Sequence, residues 1–389
     1  MIHLTTAAFF FLLVGILTSV SLIGVSQILL GIPAAYFLYK AFINKDFKFS
    51  KSSFFFLIFF ICALVSLLTN IDALKNPLKS FGKLKFLFFA LGTIPVLYYW
   101  LPKVKASHLR NLIHIFFCSI IVAGTVAIYQ AIISGGGRSE GLTGIMRYGY
   151  ASAMILGAFL GVILHREKFP IKFNTKLAVL AFLFGLTGLL LTQTRGALAG
   201  FVSALPFVLY FYRPKLGLAV GLMSALFISI LAYAYLFGTG DYGTRLLKSK
   251  NELGDVVRQE QWQSAIIATK EHPWFGWGYN NFYSQVERIK KENNLQTTFY
   301  INEHSHNTFL EVAAGTGIVG FFFFFLWLVT WAYECFKLEN HLRGIFVPFG
   351  VSLISSGQFE VVLDTNNAAL IFFVYSLSQY AVIKSKLLK

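Results

Sequence analysis

Two histidines and an acid stand directly before a long apolar run, in the stretch EHSHNTFLEVAAGTGIVGFFFFF at residues 303–325. A histidine next to a carboxylate can accept a proton near neutral pH, so one of the two histidines, His304 or His306, with Glu303 close by, is a candidate general base. His304 and His306 could instead form a His-x-His metal pair. On a helix, however, residues two positions apart point about 200° away from each other, and no cysteine or clear third ligand accompanies them. We therefore expect a base and no metal.

Arginines at the edges of apolar runs are candidates for binding an anion. Arg195 lies in TQTRGALAG, residues 192–200, where no loop separates two apolar runs, so its guanidinium must stay at the membrane edge. The planar fork of arginine suits a phosphate at that depth, although an arginine that only reaches lipid phosphates is the alternative. Arg258 lies one helical turn before Trp262 in RQEQW, residues 258–262, which is also typical of an ordinary amphipathic helix.

Other polar residues near the same edges are weaker candidates. Gln193, Arg138 and Arg147 lie at the ends of apolar runs and are candidate substrate contacts. We expect Lys83 and Lys85 to contact lipid headgroups rather than a ligand. The glycines in AAGTGIVG, residues 313–320, resemble a nucleotide-binding pattern, but they lie inside an apolar run that follows no strand. Close helix packing is the better explanation for them.

The composition predicts a membrane protein. The chain has 389 residues, of which 56% are hydrophobic and 13% are charged, and a bilayer core takes about 20 apolar residues per helix. We therefore expect an all-α, polytopic protein with about twelve transmembrane helices, placed near 5–19, 21–40, 53–70, 82–101, 111–133, 147–164, 177–193, 196–212, 216–237, 306–334, 344–359 and 366–383. The first two runs are nearly continuous and could be one bent segment or a tight hairpin.

The net charge of +16 reflects topology rather than nucleic-acid binding. With a cytoplasmic N-terminus, twelve spans place more than half of the basic residues and few acids on the inner side, which is the positive-inside asymmetry. Both termini are then cytoplasmic. The centres of the spans carry almost no ionisable residues, whereas a proton-coupled transporter would be expected to have them there. The polar residues gather at the outer rim, as expected of an interfacial enzyme.

We divide the chain into three parts. Residues 1–237 form transmembrane helices one to nine, residues 238–305 form an outward cap, and residues 306–389 form helices ten to twelve. The cap contains a predicted helix over GDVVRQEQWQSAIIATKEHP, residues 254–273, which Pro273 ends. The aromatic stretch that follows, residues 274–282, is either an interfacial belt or a surface on which sugars stack.

Taken in order, TQTRGALAG, RQEQW, HPWFGWG and HSHNTFLEVAAGTGIVG resemble the signature of the O-antigen ligase and polymerase superfamily of bacterial envelope glycosyltransferases. The resemblance covers residues 185–330 and is specific as a spaced set. The first half of the chain matches only by topology and by GRSEGLTG, and IMRYGY replaces a polar pair that the family often shows there. The resemblance also implies a fold similar to that of the GT-C glycosyltransferases.

The resemblance implies a metal-independent, inverting transfer of a glycan from undecaprenyl diphosphate to an acceptor hydroxyl at the periplasmic face of the inner membrane. His306 matches the family's active-site histidine, and Arg195 and Arg258 would hold the diphosphate. Weaker assignments are contacts of the sugar or the base by His304, Glu303, Asn307, Trp262, Gln193, Arg138 and Arg147. No cofactor is implied.

The resemblance leaves several activities open. A single dominant cap and a short 134–146 connection favour a ligase that uses a lipid A–core acceptor, with membrane lipids around it and no nucleic acid. A repeat-unit polymerase, which tends to have two sizeable outward loops, is the main alternative. A protein O-oligosaccharyltransferase and a transporter of the same superfamily are the others.

Overall fold

A computed structural model describes residues 1–44, 49–224, 253–295, 304–363 and 366–387, and the described chain is helical with no strand. The principal helices are α1 (Ile2–Thr18), α2 (Val20–Ile43), α3 (Lys51–Thr69), α4 (Pro77–Trp100), α5 (Ala106–Ile133), α6 (Ile145–Leu164), α7 (Thr175–Leu191), α8 (Arg195–Tyr212), α9 (Leu253–Glu271), α10 (Val286–Glu292), α11 (Thr308–Phe336), α12 (Asn340–Gly357) and α13 (Asn366–Leu387). Residues 214–224 are also helical.

The predicted polytopic all-α architecture is confirmed. Eight of the described helices are long and apolar enough to cross a membrane, and α1 and α7 are shorter apolar helices. Helix α12 has 18 residues and coincides with the predicted eleventh span. The predicted ninth span, 216–237, lies mostly outside the described residues.

The first apolar stretch is a tight helical hairpin. Ser19 adopts an extended conformation (φ −158°, ψ 123°) that ends α1 and begins α2, and the two helices pack against each other. Gly15 permits this approach, since a Cβ at that position would lie 2.9 Å from the backbone nitrogen of Ile23. Pro33 remains inside α2, so the chain turns at Ser19.

The apolar helices pack into one bundle whose connections alternate between two ends. Helix α12 packs on α6 and α8, α11 packs on α3, α13 packs on α4, and α5 packs on α7. We call the end at which α8 and α11 begin the site end, and the opposite end the far end. The connections that follow α3, α5, α7 and α12 also lie at the site end. Asn70 after α3 donates to the carbonyl of Gly276 in the cap, Arg138 after α5 donates to the carbonyl of Thr192 after α7, and Phe359 after α12 packs against Gly196 at the start of α8.

The described part of the cap, residues 253–295, forms a small layer on α11. Its apolar core joins Ala265, Phe282, Val286 and Ile289 with Ala314 of α11. A buried ion pair joins α10 to α9, with Lys290 Nζ 3.0 Å from Glu260 Oε2. The predicted cap helix is present as α9, which ends at Glu271, just before Pro273.

The glycine-rich segments of the cap and of α11 pack against each other. Gly317 interrupts α11 with a left-handed backbone conformation (φ 67°), and a Cβ there would overlap the backbone of Trp274. The N–H of Trp277 donates to the carbonyl of Ala314 at 2.9 Å, and the N–H of Ile318 donates to that of Pro273 at 2.7 Å. Gly315 and Gly317 therefore serve close packing, and their partner is the cap loop rather than the other helix that was predicted.

Candidate active site

The two histidines lie in a turn, not on a helix. Helix α11 begins at Thr308, and Asn307 caps it by accepting hydrogen bonds from the N–H groups of Phe309 and Leu310 at 2.9 and 3.1 Å. The expectation that His304 and His306 point apart is wrong because Asn307 caps α11, so the helix begins only after the two histidines. His306 has a left-handed backbone conformation (φ 49°), and the two imidazole rings lie 4.5 Å apart.

Glu360, in the loop between α12 and α13, holds both rings. His304 Nε2 lies 2.7 Å from Glu360 Oε1, and His306 Nδ1 lies 3.2 Å from each carboxylate oxygen. The Glu360 side chain is 8% exposed, and that of His306 is 16% exposed. Burial alone would raise the pKa of Glu360, but hydrogen bonds and charge interactions with the two histidines bring its pKa well below the ordinary value. Glu360 is therefore an anion at neutral pH.

Helix α11 fixes the loop that carries Glu360. The hydroxyl of Thr308 donates to the carbonyl of Glu360 at 2.8 Å and accepts from the N–H of Val362 at 3.0 Å. Asn307 donates from Nδ2 to the carbonyl of Gln358 at 3.2 Å. Asn307 and Thr308 therefore connect the turn at residues 304–307, which we call the histidine turn, to the loop at residues 358–363, which we call the glutamate loop.

Arg195 begins α8 beside the glutamate loop. A Cβ at the next residue, Gly196, would overlap the hydroxyl of Tyr150 and lie 2.5 Å from Cβ of Phe359, so the start of α8 packs directly on the glutamate loop. Tyr150 is 1% exposed and lies within electrostatic reach of Glu360, Arg258 and Arg138. The structure thus brings the start of α8, Arg258 of the cap and Arg138 to the neighbourhood of the histidine turn.

The turn before Arg195 is held by Arg138. Its Nε donates to the carbonyl of Thr192 at 3.0 Å, and its NH2 group donates to Thr194 Oγ1 at 3.2 Å. Gln193, between these two residues, has a left-handed conformation (φ 51°) and donates from Nε2 to the carbonyl of Gly136 at 3.3 Å. Arg138 and Gln193 therefore position Arg195.

The remaining predicted site residues are placed differently. Arg147 is exposed on the first turn of α6 and lies within electrostatic reach of Lys83. The charged residues near Tyr150 are instead Glu360, Arg258 and Arg138. Trp262 is half-buried on α9, and its buried Nε1 has no hydrogen-bond partner in the part of the chain that the structure describes. Glu303 lies outside the described residues.

Two histidines and one carboxylate are a donor set that a divalent cation could use. One ligand atom each from His304, His306 and Glu360 can be chosen so that all three lie within 4.8 Å of one another, and such a set suits zinc or non-haem iron. The 2.7 Å separation of His304 from Glu360 is that of a charge-assisted hydrogen bond. The same atoms therefore serve equally as a hydrogen-bonded proton relay.

Glu360, Tyr150 and Glu311 are the site residues that the sequence did not reveal. Glu360 is 54 residues from His306, and only the helical packing brings them together. The available signal was a pair of acids, Glu360 and Asp364, in the short connection between two predicted spans. Glu311 is 4% exposed, and its Oε2 accepts a hydrogen bond from the N–H of Ser305 at 2.8 Å.

Comparison with known proteins agrees with the resemblance noted in the sequence. Residues 180–325 match the family model described as "O-Antigen ligase", and this range contains Arg195, Arg258, His304 and His306. A protein of Haemophilus influenzae described as uncharacterized is 24% identical over 301 residues, which cover 72% of this chain and 71% of that protein. The family match supports a general transferase role for this multi-pass membrane protein.

Proposed function

Because residues 180–325 match the family model described as "O-Antigen ligase", we propose that the chain transfers a glycan from undecaprenyl diphosphate to a hydroxyl of lipid A–core. Transfer takes place at the periplasmic face of the bacterial inner membrane, with both termini in the cytoplasm. The observation that carries the proposal is the pair formed by His306 and ionised Glu360, next to a helix that begins with Arg195.

His306 is the general base. When Nδ1–H donates to the Glu360 carboxylate, the neutral imidazole carries its proton-accepting lone pair on Nε2. Nε2 then takes the proton from the acceptor hydroxyl as that oxygen attacks the anomeric carbon. The negative charge of Glu360 stabilises the imidazolium that forms. His304 shares Glu360 Oε1 at 2.7 Å and keeps the carboxylate in position.

The arginines stabilise the leaving group. Negative charge grows on the diphosphate as the glycosidic bond breaks, and the polyprenyl tail keeps that diphosphate at the membrane edge. Arg195 and Arg258 provide positive charge at this depth, and guanidinium groups bind phosphate oxygens in pairs. The N–H groups at the start of α8 add the favourable end of a helix dipole. Trp262 lies four residues after Arg258 and contributes an apolar face for a sugar.

Strained backbone supports the roles proposed for the histidine turn and for the turn before Arg195. His306 and Gln193 are not glycines, yet both have positive φ, a conformation that costs on the order of 1–3 kcal/mol. Such strain persists where the surroundings determine the conformation, and it is concentrated at functional sites. Here one strained residue is the proposed base, and the other precedes the proposed diphosphate ligand by two positions.

We propose a mechanism without a metal ion because the protein's own groups meet both charge requirements. The arginines neutralise the leaving group, and Glu360 neutralises the protonated base. Incubation with a chelator tests this part, since full transfer activity should persist in EDTA. Activity that EDTA abolishes and a divalent cation restores would show that His304, His306 and Glu360 act as metal ligands instead.

The ligase is favoured over the other activities of the superfamily by the outward connections. The segment between α5 and α6 runs only from Ser134 to Gly144, whereas a polymerase tends to have two sizeable outward loops. A protein O-oligosaccharyltransferase would use the same donor with a polypeptide hydroxyl. A transporter would require ionisable groups along a membrane pathway.

Deletion of the gene, followed by gel analysis of lipopolysaccharide, separates these activities. Loss of a ligase leaves polymer on the lipid carrier and bare lipid A–core. Loss of a polymerase leaves core with a single repeat unit, and loss of a protein transferase leaves lipopolysaccharide unchanged. Bare core together with carrier-linked polymer is the result we expect, and core capped by one repeat would reject the ligase assignment.

A further inference from the structure

Two aromatic residues of the cap are exposed at the point where the cap meets α11. Trp274 is 68% exposed and Phe275 is 40% exposed. Their backbone is nevertheless fixed, because a Cβ at Gly317 would overlap the backbone of Trp274 and the N–H of Ile318 donates to the carbonyl of Pro273 at 2.7 Å. The loop therefore packs on α11 while its two large apolar side chains stay outside the protein interior.

Helix α11 has an exposed apolar stripe that begins at the same point. Its large side chains recur three or four residues apart, which places them on one face of the helix. Each is between 44% and 55% exposed, and they are Ile318, Phe322, Phe325, Val329, Tyr333 and Phe336. Because α11 is long and apolar enough to cross a membrane, this stripe is a surface that lipid covers.

The break at Gly317 sets the depth at which the stripe begins. The ring of Phe309 lies 5.8 Å from that of Phe324, although an unbroken helix would separate the two residues by about 22 Å. The residues before Gly317 therefore fold back, and the membrane-spanning part of α11 starts at Ile318. From Ile318 to Phe336 the helix rises about 27 Å, close to the hydrocarbon thickness of about 30 Å, so Ile318 lies near the edge of the hydrocarbon at the site end.

Trp274 and Phe275 are thus held at the level where a bilayer changes from hydrocarbon to headgroups. Tryptophan suits this level, since its ring is apolar and its N–H can donate to a lipid oxygen, and it is enriched at both membrane–water interfaces. The two side chains extend the lipid-covered stripe of α11 onto the cap.

The other aromatic residues of this loop have different surroundings. Tyr279 and Phe282 are 4% and 0% exposed, and Phe282 belongs to the apolar core of the cap. Trp277 is half-buried, with the guanidinium of Arg288 5.0 Å from its ring centre. Residues 274–282 therefore do not form one continuous aromatic surface for sugars, and the exposed part is limited to the first two positions.

We propose that Trp274 and Phe275 insert into the interfacial layer of the bilayer at the site end and anchor the cap to the membrane. The partner is the lipid itself, and within residues 274–282 only these two side chains form the interfacial belt. The anchor holds α9, and with it Arg258, at the level of the headgroups. It does not depend on the proposed transferase function, because contact with lipid is measured without catalysis.

Quenching by brominated lipids tests the anchor. Full-length protein is reconstituted into phosphatidylcholine vesicles whose acyl chains carry bromine either close to the headgroup or close to the chain end. The emission of Trp274 is obtained as the difference between wild type and Trp274→Phe, a change that preserves an exposed aromatic ring. This emission should lose most of its intensity with the shallow bromine and clearly less with the deep bromine.

Trp277→Phe is the matched control, because Trp277 lies in the same loop but is half-buried. The emission obtained as the difference between wild type and this variant should be quenched much less by either lipid. A second variant moves the indole by one position. When Trp274→Phe is combined with Phe275→Trp, quenching by the shallow bromine should return.

Two results would overturn the proposal. Emission of Trp274 that neither brominated lipid quenches, but that acrylamide in the aqueous phase quenches strongly, would place the residue in water. Emission that the brominated lipids leave unchanged and that a soluble oligosaccharide of the acceptor core shifts would make the residue part of a sugar-binding surface.

Discussion

At the scale of single residues, Glu360 holds together the two histidines, and in the proposed mechanism this contact makes His306 the proton acceptor. The carboxylate is almost fully buried and contacts both imidazole rings. In the proposed mechanism, its contact with Nδ1 of His306 leaves Nε2 of that ring to accept the proton. Glu360 is therefore a positioning residue, and a substitution that keeps its shape but removes its charge should weaken catalysis through His306.

Glu360→Gln should change how stability depends on pH. The pKa of Glu360 is lowered in the folded protein, so its ionisation stabilises the fold above the unfolded-state pKa of about 4.3. That contribution is lost as the pH falls toward the folded-state pKa. Thermal unfolding in detergent at several pH values between about 5 and about 3 should show a larger difference in Tm between wild type and Glu360→Gln at the upper end of this range. The difference should narrow as the pH falls below about 4.3, and a difference that stays constant or grows over that range would contradict the lowered pKa.

Arg195→Lys tests whether the guanidinium binds the diphosphate. Lysine keeps the charge but cannot make paired hydrogen bonds to phosphate oxygens, so kcat/KM for the donor should fall about 10-fold or more. Arg166→Lys, on an exposed arginine at the far end, is the matched control and should match wild type in the same transfer assay. Unchanged activity in Arg195→Lys would indicate that Arg195 only contacts lipid headgroups.

At the scale of elements, the break in α11 determines how the cap meets the bundle. Gly317 has a positive φ and contacts the backbone of Trp274, while the N–H of Ile318 bonds to Pro273. The cap residues before Trp277 therefore lie directly on the helix that follows the histidine turn. Because the cap rests on α11 through this contact, α11 positions Arg258 of α9 relative to His306.

Gly317→Ala should loosen the cap. The added methyl group meets Trp274, and alanine resists positive φ, so stability should fall by about 1–3 kcal/mol. Thermal unfolding and limited proteolysis of residues 253–295 should both report the change. Gly350→Ala is the matched control, because a Cβ at Gly350 in α12 meets no atom within 4 Å and alanine favours a helix. Equal stability of the two variants would contradict the proposed docking contact.

The sequence predicted the helices well and the site only in part, for physical reasons. Apolar runs of span length are a local signal, so α3, α5 and α11 could be located from the sequence. The start of α11 could not, because Asn307 caps the helix and leaves the two histidines in a turn, so their predicted divergence was wrong. The contact between His306 and Glu360 depends on how α11, α12 and α13 pack, and no local pattern contains that information.

At the scale of the whole molecule, the far end and the site end have different compositions. The far-end connections are short and basic, while the site end carries the cap and the histidine turn. In the proposed reaction, a lipid-linked donor reaches this end from the bilayer. The bundle thus serves as a scaffold that holds the proposed base at the depth of the diphosphate.

The central claim is that His306 is the base in glycan transfer, and His306→Ala tests it most directly. With purified protein, undecaprenyl-diphosphate-linked glycan and lipid A–core, kcat should fall by about 10²–10⁴-fold, the usual contribution of a general base. Binding of the donor should remain close to that of wild type. His341→Ala, at the start of α12 on the far end, should transfer glycan normally. Transfer by His306→Ala at a rate near that of wild type would contradict the account.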